Sequence, residues 1–197
     1  MSGNELNNLI FKRRSVRLFN PKKVPPKLLK KAIDAGRLAP SAANLQFIEY
    51  LALDKENLLK DVFLSLKWAG YLYPRKVPPP GARPVAYIVI LINKDRAKRF
   101  DLRDVGAAAE NIMLSLLSFG VATCWLGSVK KRRLKKILNI PSRYLLDSVI
   151  ALGFPAESPR VVSDSSNVKY WLEGTGNFYV PKRPLKEVLH YNKIVSK

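Results

Sequence analysis

Lys12-Arg13-Arg14-Ser15-Val16-Arg17-Leu18-Phe19 packs four cations and a hydroxyl between Ile10-Phe11 on one side and Leu18-Phe19 on the other. A disordered nucleic-acid arm is a longer block of like charge without such apolar borders. The stretch therefore reads as a basic segment held inside a fold. An extended backbone sends alternate side chains to opposite sides, so Arg13, Ser15 and Arg17 share one face and Arg14 and Val16 the other. Two guanidinium groups and a hydroxyl on one face suit a phosphate and a polar ring edge. Taken singly, each arginine reads better as a solvated surface charge, and the rest of the chain has to decide.

At 197 residues and 47% hydrophobic, the chain has the length for one core-bearing domain spanning residues 1–197. It contains no run of about 18 apolar residues, and residues 1–10 lack a hydrophobic signal core, so neither a membrane span nor a secretory peptide is expected. Cys124 is the single cysteine and His190 the single histidine. That excludes an intrachain disulfide and argues against a zinc site or a Cys-His nucleophile pair, in keeping with a cytoplasmic protein. If the chain is an enzyme, something other than its own side chains performs the reaction. Thirty-five Lys and Arg against 15 Asp and Glu give a formal charge of +20. Such a charge favours anionic partners: nucleic acid, an anionic membrane surface or phosphorylated small molecules. The cations are spread along the chain and single out none of these.

Outward from the basic segment, Leu6, Leu9 and Ile10 have helical spacing, which ends a helix just before Arg13. Pro26 to Leu38 carries Leu28, Leu29, Ala32, Ile33 and Ala35 on one helical face. Leu38-Ala39-Pro40-Ser41-Ala42-Ala43-Asn44-Leu45-Gln46 follows. Its small side chains let a flat ligand approach the backbone, and Asn44 and Gln46 offer amide groups at the rim; a plain Pro-Ser turn with Ser41 as a helix cap reads equally well. Phe47 to Leu53 is a strand, and Leu58 to Tyr73 reads as a helix bearing Phe63, Leu66, Trp68, Tyr71 and Tyr73. Pro74 to Pro84 is a proline-rich loop. Val85 to Ile92 is an unbroken apolar run, the pattern of a strand buried on both faces. Asp101 or Asp104 caps the next helix, which runs through Ile112 and Leu117 to Gly120 and is apolar nearly all round, placing it in a core or against a second subunit. Gly120 to Ser128 is a strand ending in Gly-Ser, Lys130 to Leu138 a basic helix, and Leu145 to Phe154 a buried strand. Residues 156–180 read as a loop anchored by Trp171 and Tyr179. The chain closes on Val180-Pro181-Lys182-Arg183-Pro184-Leu185 and a short amphipathic tail.

Taken in order, these pieces resemble the nitroreductase family of flavoproteins. The resemblance rests on Arg13-Arg14-Ser15-Val16-Arg17-x-Phe19, Ala39-Pro40-Ser41-Ala42-Ala43-Asn44-x-Gln46, Gly120 to Gly127, Gly153-x-Pro155, and Lys182-Arg183-Pro184-Leu185 through His190. It implies an α+β sandwich with a mixed central sheet flanked by helices, built as an intertwined homodimer with FMN at the subunit interface. It also implies a ping-pong oxidoreductase in which NADH or NADPH reduces FMN and a nitroaromatic, a quinone or a similar acceptor reoxidises it. By the same resemblance the cofactor-binding set is Arg13, Arg14, Ser15, Arg17, Pro40, Ser41, Ala42, Asn44, Leu126, Gly127, Lys182 and Arg183. Arg13 and Ser15 hold the phosphate with Lys182 or Arg183, and Arg17 faces the pyrimidine edge. Pro40, Ser41, Ala42 and Asn44 line the ring from the partner, and the backbone of Leu126 and Gly127 approaches N5 and O4. No side chain is implied as acid or base, and no metal, because the flavin carries the chemistry. Where the family commonly has Pro-Trp after Gln46, this chain has Phe47-Ile48. Two other readings compete: a basic nucleic-acid-binding domain, disfavoured because the cations are not interleaved with stacking aromatics, and a flavin carrier or specialised flavin-using relative without this turnover.

Overall fold

The computed structural model describes residues 3–72, 77–173, 176 and 178–194. Its centre is a four-stranded antiparallel sheet built from β1 (Ile48–Leu53), β2 (Ala86–Asn93), β3 (Ala122–Leu126) and β4 (Tyr144–Gly153), in the order β1-β2-β4-β3. Every residue of β2 is buried, as its apolar run requires: even-numbered side chains such as Ile88, Ile90 and Ile92 enter one core layer, and Tyr87, Val89 and Leu91 enter the other. A bulge between Ile90 and Leu91 shifts the β2–β4 register.

One layer is closed by α2 (Pro26–Arg37) and α4 (Leu102–Leu117), which supply Leu29, Ala32, Val105, Ala109, Ile112 and Leu116. Pro26 begins α2 with a pre-set φ at a position whose N–H needs no partner. Asp101 caps α4 by accepting from the Arg103 N–H at 2.9 Å. The pair comes so close that a Cβ at Gly36 would stand 2.7 Å from Ile112 Cγ1. The opposite layer is closed by α3 (Glu56–Leu64) and α5 (Lys131–Ile137), with Val62, Phe63, Leu66, Trp68 and Leu134 buried there. Helix α1 (Gly3–Lys12) packs on α4.

Two expectations change. The helix read from Leu58 to Tyr73 stops at Leu64, because Ser65 ends it and Leu66 then pairs with Val129; Tyr73 lies outside the described residues, as do residues 74–76 of the proline-rich loop. Residues 156–180 are not simply a loop. They hold β5 (Arg160–Ser163) and β6 (Trp171–Leu172), which with β7 (Phe178–Lys182) form a second sheet in the order β5-β7-β6, β5 parallel and β6 antiparallel to β7. A single turn of helix, α6 (Leu185–Val188), follows. Among the described residues no helix is long and apolar enough to cross a membrane.

Candidate functional site

The basic segment runs along the free edge of β3. Ser15 forms a parallel bridge with Thr123, so a parallel contact joins the otherwise antiparallel sheet there, and the Val16 N–H donates to the Thr123 carbonyl at 2.9 Å. Val16 and Phe19 are buried with Ala122. Glu157 accepts from the backbone N–H groups of Arg17 and Leu18, and Asn20 N–H donates to the Phe154 carbonyl at 2.9 Å. Backbone pairing and the Glu157 carboxylate thus fix the segment through its main chain.

The alternation argued from sequence begins only at Ser15. Arg13 directly follows α1, and its N–H closes the helix's last turn by donating to the Leu9 carbonyl at 2.9 Å. In consequence Arg13 and Arg14 both line one cavity of about 170 Å³, with Thr123, Glu157 and Ser158, whereas Ser15 and Arg17 are not among its walls. Arg13 Nε lies 2.8 Å from Glu110 Oε1 on α4. Arg14 donates to the Arg13 carbonyl, and burial, reinforced by the Arg13 charge, lowers its pKa. The Arg17 guanidinium sits 4.7 Å from the ring centre of Tyr170 and 5.1 Å from that of Phe178, a cation–π arrangement. Its Nε is buried and has no hydrogen-bond partner among the described residues. Through Phe178 the N-terminal segment meets β7, whose last residue is Lys182; Lys182 and the following Arg183 are exposed.

Pro40, Ser41, Ala42 and Asn44 lie together on the connection between α2 and β1, where Ala42–Asn44 form a short 3-10 turn. Three non-glycine residues there have left-handed backbones: Ala43 at φ 50°, Asn44 at 53° and Gln46 at 47°. Left-handed backbone costs roughly 1–2 kcal/mol per L-residue, less for Asn, so something must hold the turn. That anchor is Asp104, only 7% exposed. Its Oδ2 accepts from Ser41 Oγ at 2.8 Å and from Ala42 N–H at 2.9 Å, and Ser41 Oγ in turn accepts from Gln46 N–H at 3.1 Å. Ser41 is therefore a relay inside the turn, with no side-chain cap bond of its own. A cleft of about 320 Å³ lies behind the turn, lined by Arg37, Ser41, Glu49, Tyr50 and Arg96 among others. Burial pushes the Tyr50 hydroxyl up to about 12.

Leu126 ends β3 buried, and Gly127 and Ser128 emerge exposed from the sheet. The Ser128 carbonyl accepts from Lys67 N–H at 3.0 Å, which ties this turn to the chain beyond α3.

Helix α4 sets the spacing between the two polar groupings. Asp104 holds the 40–46 turn and Glu110 holds Arg13; six residues apart, they stand about 9 Å along the helix and point in directions about 120° different. Within one protomer the turn and the basic segment consequently face different ways. Reasoning from sequence named Asp104 only as a possible cap and missed Glu110 and Glu157 altogether. An acid on a helix otherwise made of small and apolar residues was the signal available for the first two. Among the described residues no group of His, Cys, Asp and Glu is arranged to hold a metal.

Helices on both faces of an antiparallel sheet, a basic segment on its edge and a strained turn held from below define an α+β protein with a two-part polar site. A model of the nitroreductase family matches residues 10–154, most of the chain, and the chain belongs to that family. A relative from Archaeoglobus fulgidus, named as an NADH dehydrogenase/NAD(P)H nitroreductase, is 28% identical over 160 residues, covering 78% of this chain and 87% of its own. Two solved structures share the fold. One, a Desulfovibrio desulfuricans protein described as a nitroreductase in complex with FMN, has a TM-score of 0.72 at 23% identity, covering 98% of this chain and all of its own. The other, an FMN-dependent nitroreductase from Clostridium difficile, has a TM-score of 0.70 at 21% identity, covering 94% and 98%.

Proposed function

We propose that this protein is an FMN-dependent NAD(P)H oxidoreductase working as a homodimer, with each flavin shared between two protomers. The observation that carries the reading is the buried Arg17 Nε, which has no hydrogen-bond partner among the described residues, on a segment with three more cations along the edge of the strand that leads to the exposed Gly127 turn. A buried donor left unpaired is costly, and a flavin pyrimidine edge offers the acceptors it lacks. In this reading Arg13 and Ser15 hold the phosphate with Lys182 or Arg183, and Arg14 adds charge from the cavity it lines with Arg13. Charge-assisted bonds of this kind contribute roughly 1.5–3 kcal/mol each. Arg17 stabilises negative charge at the pyrimidine edge, which favours reduction. The backbone of Leu126 and Gly127 orients the ring's reactive edge. When bound, FMN supplies hydride transfer through N5.

The turn formed by Pro40, Ser41, Ala42 and Asn44 covers the ring from the partner protomer. Its different direction from the basic segment supports that division of labour. Phe11 on α1 and Leu185, Tyr191 and Ile194 in the tail are strongly exposed apolar groups that a second copy would cover. Turnover is ping-pong: the nicotinamide donor leaves before an acceptor such as a nitroaromatic or quinone takes its place over the ring. The 1–197 chain acts as one FMN-binding domain.

The test is anaerobic. Protein reconstituted with FMN should be bleached by NADPH or NADH and recover its yellow absorbance on adding an acceptor, with parallel double-reciprocal plots in steady state. A protein that takes up no FMN, or whose bound FMN neither nucleotide reduces, would overturn the reading.

A further inference from the structure

A cavity of about 540 Å³ lies between the end of α3 and the start of α5, walled by Phe63, Leu66, Trp68 and Val77 with Lys67 and Lys130 beside them. Its size and mainly apolar lining are those of a small-molecule site. No acidic side chain is among its walls as formed by the described residues. Lys67 and Lys130 are exposed and make no ion pair among the described residues, and a third cation, Arg83, stacks 4.2 Å from the centre of the Phe63 ring. Trp68 is 3% exposed, yet its indole Nε1–H has no hydrogen-bond partner among the described residues. Apolar walls and cations without an acidic partner among the described residues together call for an apolar body carrying an anion.

The cavity's place in the fold indicates what that body does. Lys67 N–H donates to the Ser128 carbonyl at 3.0 Å, Leu66 pairs with Val129, and Lys130 N–H donates to the Ser65 carbonyl at 2.8 Å. The cavity is thus joined by backbone bonds to the turn that, in the proposed function, carries the reactive edge of the flavin. We propose that it is the acceptor's specificity site, and that it selects aromatic acceptors bearing a carboxylate over their neutral counterparts. Phe63, Leu66 and Trp68 take the ring, and Lys67 and Lys130 take the carboxylate. This proposal rests on the flavin reading for its catalytic consequence, but not for binding.

The experiment compares 4-nitrobenzoate with its methyl ester, which share the nitroaromatic ring. The ester lacks the negative charge, carries one methyl group more and is intrinsically the easier to reduce, so a preference for the acid has to come from binding. In the first two-electron step, one NAD(P)H and one proton convert the nitro group to nitroso and release one water. The wild-type holoenzyme should show a higher kcat/KM for the acid, carried in KM, and the acid-to-ester ratio should shrink as salt screens the lysines. In Lys67→Met or Lys130→Met the ratio should fall about tenfold, the loss expected for one charge-assisted contact. Equal kcat/KM for acid and ester in the wild type, or a ratio unmoved in both variants, would overturn the proposal while leaving the flavin reading intact. Calorimetric titration with 1-naphthoate, a non-reducible aromatic carboxylate, separates the two claims. Lysine-dependent binding in protein that fails to take up FMN would sustain the site and sink the flavin reading. No binding of 1-naphthoate to the wild type would sink the site.

Discussion

Replacing Asp104 by Ala tests how the 40–46 turn is held. The substitution removes two bonds to a carboxylate, from Ser41 Oγ at 2.8 Å and Ala42 N–H at 2.9 Å. At roughly 1.5–3 kcal/mol for each hydrogen bond to a charged group, the gross loss is about 3–6 kcal/mol. Two effects offset it. Water from the adjoining 320 Å³ cleft can reach the freed groups, and a released turn sheds the left-handed strain at Ala43 and Gln46, roughly 1 kcal/mol or more apiece. The net global loss should be about 2 kcal/mol, a fall in Tm on the order of 4–8 °C for a chain of this size. Asp104→Asn keeps an acceptor without the charge and should lose about half as much. The assays are urea unfolding and hydrogen exchange of residues 41–46. Exchange there should accelerate well beyond the global change, and FMN affinity should fall if the turn covers the ring. A loss under about 0.5 kcal/mol with unchanged exchange would refute the reasoning, because the turn would then be holding itself.

Further outcomes follow from the same geometry. Gly153→Ala would put a Cβ 3.0–3.2 Å from the Phe19 ring and Cβ, which are fully buried. It should cost about 1–3 kcal/mol and loosen FMN binding by shifting the basic segment, as denaturation and flavin titration would report. Arg13→Ala should weaken FMN binding more than Arg14→Ala; equal affinities would remove Arg13 from the phosphate site. Burial pushes the Cys124 thiol up to about 11 from 9.0. Native protein should therefore resist a thiol reagent at pH 8 and label fully in denaturant. Because that folded pKa is raised, the thiol's contribution to stability is intact below about pH 9 and is lost as pH climbs toward 11; Cys124→Ala should flatten this decline in pH-dependent unfolding.

The parts of the fold legible in the sequence were those with a strong period. Val85 to Ile92 is continuous apolar chain and forms the all-buried β2, and Leu29 and Ala32, with Ile33 partly buried beside them, mark the core side of α2. The short strands β5, β6 and β7 escaped because they span few residues, β5 and β6 are largely exposed and β7 is only partly buried, so neither alternation nor length distinguishes them from loop. Leu58 to Tyr73 looked helical throughout because Leu66 and Trp68 are apolar at helical spacing. They are apolar for another reason: both are buried against the β3–α5 region after the helix has ended. In the candidate site, the residue types of the basic segment and of the Pro40 turn were visible, but their supports were not. Asp104, Glu110 and Glu157 act across 62, 97 and 140 positions of chain, and no local pattern records a partner so distant. The parity assigned to Arg13 failed for a local reason: α1 ends at Lys12, as the apolar spacing indicated, but the Arg13 N–H still closes the helix's last turn on the Leu9 carbonyl, so the extended run starts later.

The central claim is that the edge-strand cations and the Gly127 turn seat one flavin per protomer. Titrating flavin-free protein with FMN, followed by sedimentation of the complex, tests it most directly. The account predicts saturation at one FMN per chain in a dimer, with Arg17→Ala weakening the flavin and altering its visible spectrum. Saturation by FMN with an unaltered spectrum and affinity in Arg17→Ala, or no uptake of FMN at all, would contradict it.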